Sequence, residues 1–258
     1  MKNLRIALAQ ISLISGDVDA NIKSHLKVIK RASSLKITYL VFPELSLTGY
    51  EPRLASQLAF SDTDSRLQPL IDAAIKYQIT IAVGAPLLNS SAHSSLPSIG
   101  LIMINVQGEI QTYQKMHLHQ SEEAYFSAGS QPHIITFHDT KIANAICADS
   151  NDATHCRTYA ELGASVYIAG SMITAGGYKA DTDKLQAHAR DHNMLVALAN
   201  YDASTTPFSD GWAPIGKSAF WTNKGLLVCA NEFQEALVIA KKVNEEWIGE
   251  VVPLAEVP

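Results

Sequence analysis

The chain has 258 residues, enough for one large α/β domain with a sizeable core. Apolar residues make up 47% and charged residues 17%, a globular balance that excludes a disordered chain. The formal net charge is −5 and no basic block occurs, which argues against nucleic acid or an anionic membrane as a partner.

Leu4, Ile6 and Leu8 alternate with smaller or polar residues and predict a first strand. It follows Met1-Lys2-Asn3 with no apolar leader, so no signal peptide is expected. Gly16-Asp17 opens a helix carrying Ile22, Leu26, Ile29 and Leu35, with Asp17 or Asp19 as its cap. Tyr39 to Phe42 reads as a short buried strand stopped by Pro43. Leu67, Leu70, Ile71, Ala74 and Ile75 mark a second amphipathic helix, and Ile79 to Val83 the next strand. No Asp, Glu, Lys or Arg occurs from Ile79 to Gly108, but the polar stretch 89–95 divides it into strand lengths and not a bilayer span.

Ile99 to Val106 and Ile110 to Gln114 predict a hairpin about Gln107-Gly108. Ile134 to Phe137 and Lys141 to Cys147 follow, joined at His138-Asp139-Thr140. A helix over about 152–162, a strand over 166–169, a helix over about 180–193 and a strand over 195–199 come next. The end reads as β-rich, with Ser218 to Trp221, Leu226 to Cys229 and Ala236 to Ala240. No repeat or linker divides the chain, so one domain over 1–258 is expected, with face-to-face sheets and helices outside. Periodicity alone leaves a doubly wound sheet open.

Three polar residues stand where strands end. Cys147 lies between a strand and the helix-capping run Asp149-Ser150-Asn151-Asp152, where nearby N–H groups would lower a thiol's pKa and hold an oxyanion. Cys156 and Cys229 fit the usual role of a free cysteine as a small buried hydrophobe. Three sparse cysteines form no disulfide framework, which predicts a reduced, cytoplasmic setting. Glu44, between Pro43 and Leu45, is poorly suited to a solvated surface, and a desolvated glutamate can act as a base near neutrality. Lys115 after a strand is a weak signal by itself.

Together these segments resemble the nitrilase superfamily of carbon–nitrogen hydrolases. Phe42-Pro43-Glu44-Leu45-Ser46-Leu47-Thr48-Gly49-Tyr50 resembles the family's glutamate motif, Tyr113-Gln114-Lys115-Met116-His117-Leu118 its lysine motif, and Ile146-Cys147-Ala148-Asp149 its cysteine motif. Ile6-Ala7-Leu8-Ala9-Gln10 and Gly216-Lys217-Ser218-Ala219 are similar to family strands, so the likeness spans nearly the whole chain. The resemblance implies a four-layer α-β-β-α sandwich, a homodimer or higher homo-oligomer, and neither metal nor organic cofactor. It implies Glu44 as base, Cys147 as nucleophile, Lys115 and the Ala148 N–H as oxyanion partners, and a small-molecule amide as substrate. It also implies a second glutamate before Tyr125-Phe126-Ser127-Ala128-Gly129, either Glu122 or Glu123, with Glu122 preferred from its distance to Gly129. Tyr50 and Trp221 are candidate pocket residues.

Two departures bear on the substrate. The family's Arg and Pro after the cysteine are replaced by Asn151-Asp152-Ala153, and Gln114 stands where Arg is common. Ala148-Asp149 after the nucleophile, in place of Trp-Glu, favours an amidase over a nitrile hydrolase. The membrane acyltransferase branch would need spanning segments and the glutamine-dependent synthetase branch a further domain, and neither is expected here. A papain-like Cys–His pair would need one of His117, His119, His155, His188 or His192 at the thiol. His117-x-His119 and the His188/His192 pair lack an evident third metal ligand. Outside enzymology, a silent ligand-binding or regulatory protein could use the same scaffold.

Overall fold

A computed structural model describes residues 4–89, 95–137 and 139–254. Met1 to Asn3, positions 90–94 of the expected polar loop and His138 of the expected turn lie outside the described residues.

Strand β1 (Arg5–Gln10) leads to α1 (Val18–Ser34), capped by Asp17, whose side chain accepts from the Ala20 N–H at 3.0 Å. β2 (Tyr39–Val41) follows, then the short α2 (Ala55–Leu58), α3 (Gln68–Tyr77) and β3 (Thr80–Leu87). β4 (Ser98–Ile104) and β5 (Ile110–Gln114) form the expected hairpin. β6 (Ile134–Phe137), β7 (Thr140–Ile146), α4 (Ala153–Glu161), β8 (Val166–Gly170), α5 (Ala175–His192) and β9 (Leu195–Ala199) make up the second half. β10 (Ala219–Thr222), β11 (Gly225–Cys229), β12 (Ala236–Val243) and β13 (Glu246–Pro253) close the chain.

Several elements differ from the sequence expectation, among them α2, which it did not include, and β3, which runs on to Leu87. α5 begins five residues before Ala180, because Gly176-Gly177, poor helix formers in isolation, are carried within its first turn. β13 was not expected. It pairs with β12 through a tight turn in which both Asn244 (φ 48°) and Glu245 (φ 67°) are left-handed. Such a turn is advertised by Asn-Gly and not by Asn-Glu, and the strand's mixed polar pattern suits a half-exposed edge.

The strands form a seven-stranded sheet in the order β13-β12-β1-β2-β3-β4-β5 and a six-stranded sheet in the order β11-β10-β9-β8-β7-β6. One core cluster joins the two sheets' facing sides and takes in Ile22, Val28 and Ile29 of α1 with Leu70 and Ala74 of α3. The other lies under α4 and α5, where Cys156, Tyr159, Leu185 and Ala189 meet Tyr167, Val196 and Trp221. The result is an α-β-β-α sandwich. Tyr39 of β2 donates to Asn144 Oδ1 of β7 at 2.8 Å, a buried polar contact that ties the facing sheets together. Among the described residues no helix is long and apolar enough to cross a membrane.

The site is set by which strands run parallel. β1, β2 and β3 are parallel neighbours, as are β7, β8 and β9. Segments leaving the carboxyl ends of β2 and β7 carry Glu44 and Cys147, the position where open α/β sheets place their ligands.

Candidate active site

Glu44 sits on a backbone turned sharply after β2, with Leu45 at φ 52°. The turn fits because two neighbouring strands carry glycine beneath it. A Cβ on Gly84 would lie 2.3 Å from Leu45 N and 2.6 Å from Pro43 O, and one on Gly170 would lie 2.9 Å from Phe42 O. Tyr201 donates its hydroxyl to the Glu44 carbonyl, and Leu47 N donates to Gly84 O at 2.8 Å. Gly84→Ala should therefore displace the Glu44 turn. We expect a loss of about 1–3 kcal/mol in urea unfolding and a fall in activity beyond the fraction unfolded. A variant with wild-type values in both would show that the turn has room to spare.

Lys115 follows β5 and is completely buried. Its Nζ donates to Glu44 Oε1 at 2.7 Å and to both oxygens of Glu122 at 2.8 Å. A buried ammonium is tolerable only with such partners. The structure decides between the two adjacent glutamates: Glu122 is buried at Lys115, while Glu123 is exposed. Glu122 also accepts from the Tyr50 hydroxyl at 2.7 Å and from the His119 N–H at 2.8 Å, which folds the 119–122 turn around it.

Cys147 occupies a strained elbow. It adopts φ 44°, left-handed for a residue with a side chain, as β7 passes into a 3₁₀ turn over Cys147–Asn151. Asp149 holds this elbow against the lysine segment. Its Oδ2 accepts from Ile146 N at 3.0 Å and Tyr113 OH at 2.7 Å, and its Oδ1 accepts from Met116 N at 3.0 Å and His117 N at 2.8 Å. Asp149 is fully buried, and despite that burial its hydrogen bonds with His117, Tyr113 and Ile146 and the nearby His155 keep its carboxyl below the usual carboxylate range. In the sequence Asp149 reads only as a capping residue and a member of the cysteine motif. Nothing in its spacing signals that one carboxylate spans both catalytic segments.

Glu44 and Cys147 meet at this point. Glu44 Oε2 is buried with no hydrogen-bond partner among the described residues, and the Cys147 thiol lies near enough to stabilise this carboxylate. Burial pushes Glu44 up to about 7, against the downward pull of Lys115. For Lys115, burial alone would lower the ammonium, but the carboxylates of Glu44 and Glu122 outweigh it and hold it charged. The thiol corrects the sequence expectation. Burial and the Glu44 charge push Cys147 well above its ordinary value, and Lys115 and the Met172 N–H only partly oppose them. The elbow is a short 3₁₀ turn and α4 starts only at Ala153, so no long helix dipole is aimed at the sulfur. In the resting site the sulfur is a thiol beside a base.

Above the sulfur is a cavity of about 520 Å³ whose wall includes Tyr50, Ala148, Met172, Asp181 and Trp212. Grooves of similar size elsewhere, such as one of about 530 Å³ beside Met103, Gln111 and Phe137, hold no cysteine. Trp221 is corrected: it is buried under α5 with Leu185 and Val196, away from this cavity. Trp212 lines it instead, stacked on Tyr50 with ring centres 5.8 Å apart. Trp212 sits in a loop with no periodic pattern, so its position was not legible in sequence.

His119 shares the cavity wall, with its Nδ1 hydrogen-bonded to Ser121 Oγ at 2.8 Å, while His117, His155, His188 and His192 do not line it. His155 is buried between Tyr113 OH (2.9 Å) and Tyr167 OH (2.8 Å), so no papain-like pair forms with it. The structure does bring a third group, Cys156, within 4.8 Å of His188 and His192. His188 Nε2 is hydrogen-bonded to the Ser150 carbonyl at 2.9 Å, and burial pushes the Cys156 thiol up to about 12. Both groups serve the packing of α4 and α5 and the elbow turn.

Comparison with known proteins agrees with this geometry. Residues 5–248 match the carbon–nitrogen hydrolase family model. The chain belongs to the carbon–nitrogen hydrolase family. Among curated relatives, this family member is 29% identical over 208 residues to a glutamine-dependent NAD(+) synthetase of Aquifex aeolicus, covering 76% of this chain and 35% of that protein. It thus spans about a third of the length of the synthetases it matches. It is 29% identical over 204 residues to 2-oxoglutaramate amidase of Bacillus subtilis, covering 77% and 76% of the two chains. An amidase of the nitrilase superfamily from Nesterenkonia superposes with a TM-score of 0.82 over 94% of this chain and 91% of that one, at 21% identity, and so shares the fold.

Proposed function

We propose that this carbon–nitrogen hydrolase is a cysteine-dependent amidase, cleaving a non-peptide amide or carbamoyl bond of a small molecule through a thioester at Cys147. One observation carries the reading: Lys115 Nζ bridges Glu44 and Glu122, and the Cys147 thiol lies near enough to Glu44 to act on its carboxyl. Glu44 takes the thiol proton as the sulfur attacks the carbonyl carbon. Lys115 and the Ala148 N–H hold the oxyanion. Glu44 returns the proton to the departing nitrogen, leaving an acyl thioester. Water then attacks that thioester, giving its proton to Glu44, and the acid departs as the thiol is restored. Glu122 and Tyr50 hold Lys115 in place and are positioning residues.

The Nesterenkonia neighbour is described with acrylamide added at its active-site cysteine, which supports a small amide as the ligand class. The family likeness also leads us to expect a homo-oligomer working in the cytoplasm. The test is ammonia release over a panel of aliphatic amides, ω-amides, N-carbamoyl amines and nitriles. Turnover of amides or carbamoyl compounds is expected, and turnover confined to nitriles would overturn the amidase assignment. Slow alkylation of Cys147 by iodoacetamide would not favour a silent binding protein, since the resting thiol is protonated.

The Glu44 shift sets a pH dependence. A carboxyl raised to about 7 cannot accept the thiol proton below that pH, so kcat/KM should rise with pH and level off above about 7. The folded state also binds this proton more tightly than the unfolded chain does. The contribution of Glu44 to stability therefore falls as pH rises through the interval between its ordinary value and about 7. Full activity at about pH 5 would remove Glu44 as the base.

A further inference from the structure

The cavity over Cys147 holds a carboxylate that the hydrolytic steps do not use. Asp181 lies on the second turn of α5, lines the cavity and is partly exposed. A Cβ on Gly177, one turn earlier, would sit 3.4 Å from Asp181 Oδ2, so the carboxylate rests beside bare backbone. Asp181 forms no hydrogen bond or ion pair among the described residues.

The nearby cations are committed elsewhere. Lys115 is shared by Glu44 and Glu122. Lys179 pairs with Asp183 at 2.6 Å, Lys184 donates to Asn151 Oδ1 at 2.9 Å, and Arg53 pairs with Asp210 at 3.4 Å. Glu122 and Asp181 thus line the cavity, and the Lys115 ammonium is already shared by Glu122 and Glu44. In the wall of the same cavity Trp212 supplies an aromatic surface, stacked on Tyr50 and met edge-on by His119 at 5.5 Å. A carboxylate beside an indole attracts a cation by Coulomb and cation–π forces together. A carboxylate-bearing amide, the class to which 2-oxoglutaramate belongs, would meet like charge here and no unpaired cation.

We propose that Asp181 and the Trp212 wall form a subsite for a protonated amine, so that the preferred substrate is an amide or N-carbamoyl compound carrying an ammonium at its other end. This rests on the hydrolase reading above and specifies its substrate class.

Three amides of equal carbon chain test it: δ-aminovaleramide, valeramide and the monoamide of glutaric acid. Values of kcat/KM should fall in that order, by at least about tenfold from first to last, and the spread should shrink with added salt. Asp181→Asn should bring the ratio of ammonium to neutral substrate towards one, and Asp181→Lys should reverse the order of ammonium and carboxylate substrates. Calorimetric binding of the same three compounds to Cys147→Ala should follow the same order with no turnover. Hydrolysis without that order, or with the carboxylate preferred, overturns the amine subsite and leaves the hydrolase standing. The order seen in binding without hydrolysis by the wild type overturns the hydrolase and leaves the subsite standing.

Discussion

Cys147→Ala should abolish amide hydrolysis, by at least about 10⁴-fold in kcat, while leaving the fold intact. In the proposed mechanism the sulfur forms the covalent bond, and it lies beside both Glu44 and the Lys115 ammonium. Alanine removes it without adding volume and retains a side chain at the same left-handed φ of 44°. Ammonia release and a thermal melt by circular dichroism check the two halves of this prediction. Residual turnover near the wild-type rate, with the melt unchanged, would mean that another group, such as a water held by Glu44, performs the attack. Cys147→Ser gives a finer test. Its hydroxyl stands near Glu44 as the thiol does but is a weaker nucleophile, so it should retain the fold and lose nearly all activity.

Lys115→Met should be costly in both activity and stability. The ammonium is fully buried between two buried carboxylates, at 2.7 Å from one and 2.8 Å from the other. Methionine preserves much of the stem's volume but leaves Glu44 and Glu122 facing each other without a counter-charge. Breaking a buried charge arrangement in this way typically costs about 3–5 kcal/mol, and relief comes when one carboxyl takes up a proton. The sign follows. Glu44 already binds its proton near neutrality, and losing Lys115 removes the main pull holding it down, so its pKa should rise further. The variant's stability deficit, read by urea unfolding, should therefore shrink as the pH is lowered. Adding Glu122→Gln should recover part of the stability at neutral pH but none of the activity, because the oxyanion partner is still missing. Unchanged stability in Lys115→Met would show that the carboxylates are solvated and that the ion network contributes little.

Much of this arrangement was legible before any coordinates. The strand ends at Glu44 and Cys147 follow from apolar runs stopped by Pro43 and by a set of capping residues, because burial and backbone hydrogen bonding leave few other ways to read them. Three motifs in order identified Lys115 as their partner, although a lysine after a strand has no local signature of its own. Other features depend on contacts between distant segments. The thiol's state is one: proximity to a helix start predicted a lowered pKa, whereas burial and a neighbouring carboxylate raise it. Trp221 and Trp212 are another, since the first packs under α5 and the second reaches the cavity from an irregular loop.

By itself, the sequence determined the alternation of helices and strands, because periodicity is a local property, and the family resemblance singled out Glu44, Lys115 and Cys147 as the residues to which the proposed roles are given. Only the tertiary structure decided that Glu122 rather than Glu123 holds Lys115, that Gly84 and Gly170 make room for the Glu44 turn, and that Asp149 joins the lysine and cysteine segments. Each of these depends on which side chains face one another when two sheets pack, and adjacent residues on a turn can point in opposite directions.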